Sequence, residues 1–400
     1  MTHIIVPSIW LIVLIAGLPQ LSETVYTPSL PDIASTLQVP HAMVQYTLTI
    51  YLFGFSIGNF LWGVISDRIG RKPCIIIGLI LFIIGSLGCY LSTSIETLMV
   101  SRFFQAFGGS IGSVLGQSIC RDVFHGGALS KAYAALGSSI AIFPAVGPVI
   151  GGFIAQYFGW PFIFLFLILA ALLLLLIVVF RLPETHHSAN RRYVSVLKII
   201  KKFSQDKKVL GLGFLVAASN GISFSYFAEG SFCLIKVLGL TPSEYGMTFI
   251  AISISTMIGG FVSRYLLNFF HSSQVMNYGI LAICFSSGLF SILILMHTFG
   301  CYFSKDSLIL IIIAAQMINM FGKCIIGGNS LALALTKYRR CIGTASSLFG
   351  FYYYCLTSLC TFGMGKLHNH TLLPMPLYFF SIGLSMILVR YLINKELQEA

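Results

Sequence analysis

The chain has 400 residues, of which 57% are hydrophobic and only 9% charged, whereas a soluble domain carries about 25% charged residues. That balance excludes a single water-soluble core and makes lipid the solvent for most of the chain. The net charge of +12 does not indicate a nucleic-acid partner, because the basic residues sit in short connections between apolar runs rather than on one face. Ten cysteines are scattered through apolar runs without a CxxC pair or Cys/His spacing, which points to neither a metal site nor a disulfide framework.

Length and apolarity predict about twelve membrane spans, at 5–27, 42–65, 74–92, 96–118, 131–155, 161–181, 209–230, 244–265, 275–297, 307–335, 341–364 and 374–393, since a spanning helix needs about 20 apolar residues. The first run, from Ile4 to about Tyr26, is too long for the apolar region of a cleaved signal peptide and has no Lys or Arg before it, so it reads as a span. Between the sixth and seventh spans the chain turns polar and basic, with Glu184, His186, His187, Arg191, Arg192, Lys198, Lys201, Lys202, Lys207 and Lys208. This connection divides the chain into residues 1–182, 183–208 and 209–400, six spans on either side. Within it, Tyr193–Phe203 has helical spacing and reads as a basic amphipathic segment lying on the membrane surface.

Lys and Arg alternate in abundance from one connection to the next. Arg68, Arg71, Lys72, Arg121, Lys131, the central run, Arg264, Lys337, Arg339, Arg340, Arg390 and Lys395 fall on the side of the termini, against Lys236, Lys305 and Lys366 on the other. The positive-inside rule then places both termini and the central loop in the cytoplasm.

Ionisable residues within spans cost about 2.5–3.5 kcal/mol or more, so each is a functional candidate. Glu23, Arg102, Lys323 and, near a span end, Glu229 meet that description. Glu23 and Arg102 lie at matching depth, about 6–9 Å below the outer surface at about 1.5 Å per residue, and can meet if spans 1 and 4 are neighbours. We expect Glu23 to carry a coupled proton and Arg102 to modulate it or to help hold the half-bundle geometry around Asp67 indirectly. Lys323 sits mid-span between Asn319 and Asn329, where it can contact an anionic substrate or pair with Glu229 or a backbone carbonyl. Asn220 reads either as a polar cavity group or as a helix–helix hydrogen bond, and Tyr51 and Tyr353 as cavity-lining aromatics. The nine histidines lie in loops and at span ends, without the clusters at one depth that a membrane-embedded enzyme needs. No nucleotide-binding motif is present, and neither cofactor nor metal is expected.

The connection after the second span reads Gly63-Val-Ile-Ser-Asp67-Arg68-Ile-Gly70-Arg71-Lys72-Pro73. Gly63 and Gly70 permit close backbone approach, and Asp67 can sit near a helix N-terminus, where negative charge is favoured. The stretch resembles the signature loop between spans 2 and 3 of the major facilitator superfamily, G-x-x-x-D-R-x-G-R-[KR]. Leu98, Arg102, Gln105 and Gly108 resemble that family's second motif. Gly147, Pro148, Gly151 and Gly152 resemble the G-P-x-x-G-G antiporter motif, with Phe143 where the family usually has another glycine. Arg121-Asp122 and Tyr26-Thr-Pro28-Ser-Leu-Pro31 resemble the Bcr/CflA-like branch of drug exporters, which usually has its acidic residue at the position of Thr24, one after Glu23.

The resemblance implies an all-α membrane fold of twelve helices in two six-helix bundles, not an enzyme. It implies alternating access around a central cavity and proton-coupled export of small amphipathic compounds by a monomer in a bacterial inner membrane. A proton-linked exporter or importer of one metabolite, such as a siderophore, is the alternative. Gly260-Phe-Val-Ser263-Arg264 is a faded echo of the signature loop in the second half, without its acid.

Overall fold

The computed structural model describes residues 7–186 and 196–398. Twelve long helices account for nearly all of it: α1 (Ile9–Thr24), α2 (His41–Ile69), α3 (Arg71–Tyr90), α4 (Ile95–Val123), α5 (Gly126–Phe158), α6 (Pro161–Arg181), α7 (Lys207–Ser231), α8 (Pro242–Leu266), α9 (Ser272–Thr298), α10 (Lys305–Ala334), α11 (Ile342–Leu367) and α12 (Pro374–Leu392). Among the described residues ten of these helices are long and apolar enough to cross a membrane by themselves. The other two, α4 and α11, are of similar length, 29 and 26 residues, and lie packed among the ten. Large apolar side chains such as Leu173, Phe180, Phe261 and Phe285 stand exposed on the bundle, as expected of a surface whose solvent is lipid.

The helices end where the local chemistry stops them. Gly70, at φ 110°, turns α2 into α3, and Gly159, at φ 90°, ends α5; both are angles that a side chain would oppose. Thr241 and Glu244 form a capping box at the start of α8. α7 continues through a π-helical turn, Phe232–Val237, so the span expected to end at 230 runs about two turns further. α1 is shorter than its sequence suggested, and a short helix, Leu30–Thr36, follows it. The His187, Arg191, Arg192 and Tyr193 positions of the central run lie outside the described residues. Within the described part, helix Val196–Ser204 packs Ile199 and Phe203 inward, with Phe203 against Tyr338, Phe349 and Tyr352.

Helix neighbours repeat after six helices. α4 packs on α1, α2 and α3, α1 packs on α5, and α3 packs on α6. In the same way α10 packs on α7, α8 and α9, α7 on α11, and α9 on α12. The result is two six-helix bundles of like architecture. They meet along two seams, α2 with α11 and α5 with α8, which the same repeat relates to each other.

Both seams are closed at the end of the bundle opposite the chain termini, called the far end below. There α5 and α8 touch backbone to backbone: a β-carbon on Gly152 would lie 2.3 Å from the Pro242 carbonyl oxygen, and one on Gly246 2.2 Å from that of Pro148. Ser243 Oγ donates to Gln156 Oε1 at 2.5 Å across the same gap. On the other seam Ser358 Oγ of α11 donates to the Thr49 carbonyl of α2 at 2.9 Å, and beside it Gln45 Nε2 of α2 donates to Glu229 Oε2 of α7 at 2.5 Å.

Candidate functional site

Glu23 lies near the C-terminus of α1 and is buried, with Oε1 lacking any hydrogen-bond partner. The charges that act on its carboxylate are Lys323, from the opposite bundle, and then Arg102. Tyr51 from α2 and Tyr353 and Tyr354 from α11 lie within electrostatic range of the same carboxylate. Five of the six residues singled out for coupling or substrate contact (Glu23, Arg102, Lys323, Tyr51 and Tyr353) therefore share one region between the two bundles.

The one-residue offset from the exporter pattern is resolved by packing. Thr24 turns toward α5, where a β-carbon on Gly147 would lie 2.2 Å from its hydroxyl, and that hydroxyl donates to the Gln20 carbonyl of its own helix at 3.1 Å. Glu23, one step round the helix, is left facing the interior.

Arg102 is fully buried but does not pair with Glu23 as the depth match had suggested; no ion pair within 4 Å joins them among the described residues. Its guanidinium instead stacks on Tyr51 and Tyr26, 4.0 and 4.5 Å from the ring centroids, a cation–π arrangement that holds the charge without a carboxylate. Nη1 donates to Gln105 Oε1 at 2.5 Å, and Gln105 Nε2 to Ser86 Oγ at 2.8 Å, so the second motif is a positioning chain for this arginine. Nε and Nη2 have no hydrogen-bond partner. The Tyr26 hydroxyl is bonded to Thr47 Oγ1, fixing one face of the stack.

Lys323 is half-buried on α10, with Nζ 5.8 Å from the Phe224 ring centroid. Glu229, considered as its partner, is engaged elsewhere, on Gln45 and on His368 at 2.9 Å. Asn319 and Asn329 tie helices together, accepting from Ser287 at 3.4 Å and donating to Ser263 at 2.9 Å. Of the two roles expected for Asn220, no bond to another helix is seen among the described residues; its amide donates to the Val216 carbonyl of its own helix at 3.0 Å.

The signature loop forms a charge network at the terminal end. Arg71 bonds Asp67 at 2.7 Å, Asp122 at 3.0 Å and Ser66 Oγ at 2.7 Å. Asp67 ends α2 rather than capping a helix N-terminus; that position is taken by Glu184, whose carboxylate accepts from the backbone N–H of Arg71 and Lys72 at 2.9 and 3.1 Å. Glu184 was legible only as one acid in a basic run, 113 residues from its partner. Arg68 is exposed on the same turn, and Gly63 faces Ser347 of α11. The antiporter motif wedges α5 between α1 and α8. Gly147 and Gly151 approach Thr24 and Val25, while Pro148 and Gly152 approach Gly246 and Pro242. Where Phe143 replaces the usual glycine, Gly17 on α1 makes room: a β-carbon there would lie 2.1 Å from the ring.

Two repeated helix bundles meeting at a buried, charged centre are the architecture of a membrane transporter. The Major Facilitator Superfamily model matches residues 12–361. An uncharacterized transporter of Rickettsia bellii is 33% identical over 94% of both chains, and a bicyclomycin resistance protein homolog of Haemophilus influenzae is 30% identical over 84% of this chain and 83% of its own. The crystal structure of a D-xylose-proton symporter superposes with a TM-score of 0.75 over 95% of this chain and 96% of its own at 14% identity, a likeness of fold. The chain belongs to the major facilitator superfamily. Within that family it is a multi-pass membrane transporter of small molecules, not an enzyme.

Proposed function

We propose that this transporter exports small amphipathic compounds in exchange for protons, with Glu23 as the proton carrier. One observation carries the reading: a buried carboxylate of the first bundle lies in the field of Lys323 of the second. Ionised Glu23 attracts Lys323 and draws the bundles together around it. A proton on Glu23 removes that attraction, so proton uptake and release change the preference between two arrangements of the bundles, as alternating access requires. Arg102 supplies a fixed positive charge beside the carboxylate, and Tyr51 and Tyr353 offer aromatic surface to an apolar or cationic cargo. The similarity to a bicyclomycin resistance protein homolog supports a drug-like cargo.

The basic connections orient the chain with both termini and the segment 183–208 in the cytoplasm of a bacterial inner membrane. The far end then faces outward, and its closure shuts the path to the outside. The half-buried ammonium of Lys323 favours a second cargo class, an anionic metabolite.

Proteoliposomes under an imposed pH gradient, screened with lipophilic cations and anionic metabolites, test both readings. Glu23→Gln should lower gradient-driven transport by about 100-fold or more, the scale of a missing proton-transfer group, while cargo exchange without a gradient persists. Undiminished gradient-driven transport in Glu23→Gln removes this residue from the mechanism.

A further inference from the structure

At the far end of the α2/α11 seam, three histidines converge that no step above uses. His41 opens α2 in the first bundle; His368 and His370 follow α11 in the second. His41 Nδ1 lies 3.2 Å from His368 Nε2, which lies 3.3 Å from His370 Nδ1. One nitrogen from each ring falls within 4.8 Å of the others. Zinc bound to imidazole at about 2.0–2.1 Å in a tetrahedron separates neighbouring nitrogens by about 3.3 Å, the spacing found here from His368 to each of the other two rings. We propose that His41, His368 and His370 form a site for a zinc-like divalent transition-metal ion that bridges the two bundles.

The surroundings are those of a metal site. The second nitrogen of His368, Nδ1, lies 2.9 Å from both oxygens of Glu229, the carboxylate–histidine arrangement that fixes tautomer and ring orientation for metal ligation. Glu229 is itself fixed by Gln45 at 2.5 Å. His41 stacks on Phe232 at 4.3 Å between centroids, so its ring is held in place. His370 takes a left-handed backbone, φ 63°, uncommon for a residue with a side chain, and this conformation brings its ring 4.6 Å from His368 and 4.9 Å from His41. A pocket of about 240 Å³, lined by His41, Glu229, Cys233, His368 and His370, adjoins them and offers an entry path and room for water as a fourth ligand.

Ligands from both bundles make the ion a clasp. It stabilises the arrangement in which the far end is closed, by mass action on that state alone. The clasp as a brake on transport rests on the alternating-access reading above; the binding itself does not.

The test uses the full-length protein in detergent, purified without a histidine tag, and zinc or cobalt as the probe. Calorimetry should find one zinc per chain, and cobalt should show the visible absorption of a tetrahedral site. His41→Ala and, separately, His370→Ala, which alters an exposed residue, should each weaken binding by at least about tenfold. Glu229→Gln, which leaves all three ligands, should weaken it by about 10–100-fold. Zinc should raise the Tm of the native protein and not of His41→Ala, and it should slow cargo exchange in the native protein only. Absence of stoichiometric zinc binding, or equal binding after both histidine substitutions, overturns the site. Zinc bound at the site with exchange unaffected overturns the clasp. Because binding is read without transport, either failure is distinct from a failure of the Glu23 reading.

Discussion

The two seams occupy equivalent places in the repeated fold, yet they are built from different chemistry. Along α5/α8 the glycines face backbone: Gly152 meets the Pro242 carbonyl and Gly246 the Pro148 carbonyl. Along α2/α11 they face side chains: Gly63 meets Ser347, Gly350 meets Asn59 and Gly365 meets Tyr46. Aromatic pairs, Phe55 with Tyr354 and Phe60 with Phe351, fill the rest of that seam. A backbone carbonyl inside a helix cannot move without displacing the helix, whereas a side chain can change rotamer. The difference assigns the first seam to fixed close approach and leaves the second able to carry polar and titratable groups such as Asn59, His41 and His368.

The largest effect is expected on the backbone-faced seam. Gly246→Ala puts a methyl 2.2 Å from the Pro148 carbonyl oxygen and 2.9 Å from its carbon. It should destabilise the closed far end by about 1–3 kcal/mol, read as a lower Tm in detergent and faster labelling of a cysteine introduced at the far end. An intermediate effect is expected at Gly17, where the crowding partner is the Phe143 ring. Gly17→Ala should lower Tm, and adding Phe143→Ala should restore part of the loss, a coupling measurable by a double-mutant cycle; additive losses would show that these positions do not compensate. The smallest effect belongs to Gly350→Ala. Its methyl would lie 3.3 Å from the Asn59 amide nitrogen, and alanine's better helix propensity, about 1 kcal/mol, offsets that crowding. Tm should stay nearly unchanged. Equal losses from Gly246→Ala and Gly350→Ala would break the contrast between the seams.

Apolar length, the alternation of basic connections and the signature loop made the spans and the family legible in the sequence. Glu23, Arg102 and Lys323 were legible because an ionisable group inside a membrane span is expensive enough to be rare. Their partners were not. Lys323 acts on Glu23 from 300 positions away in the chain and not on Glu229, and Arg102 rests on aromatic rings and not on the carboxylate at its own depth. Hydropathy gives depth along a helix axis but not which face turns to which neighbour. Glu184 and the histidine cluster escaped for the same reason: each site is assembled from segments more than 100 residues apart.

The sequence by itself determined that this chain lives in a bilayer, how many times it crosses, and which few charged groups pay the cost of being there, because transfer of each side chain into hydrocarbon is a local property. Only the tertiary structure decided that Glu23 rather than Thr24 faces the centre, that Lys323 answers it from the opposite bundle, and that three histidines meet at one end. Those are matters of helix rotation and packing, set by which glycines let two backbones touch.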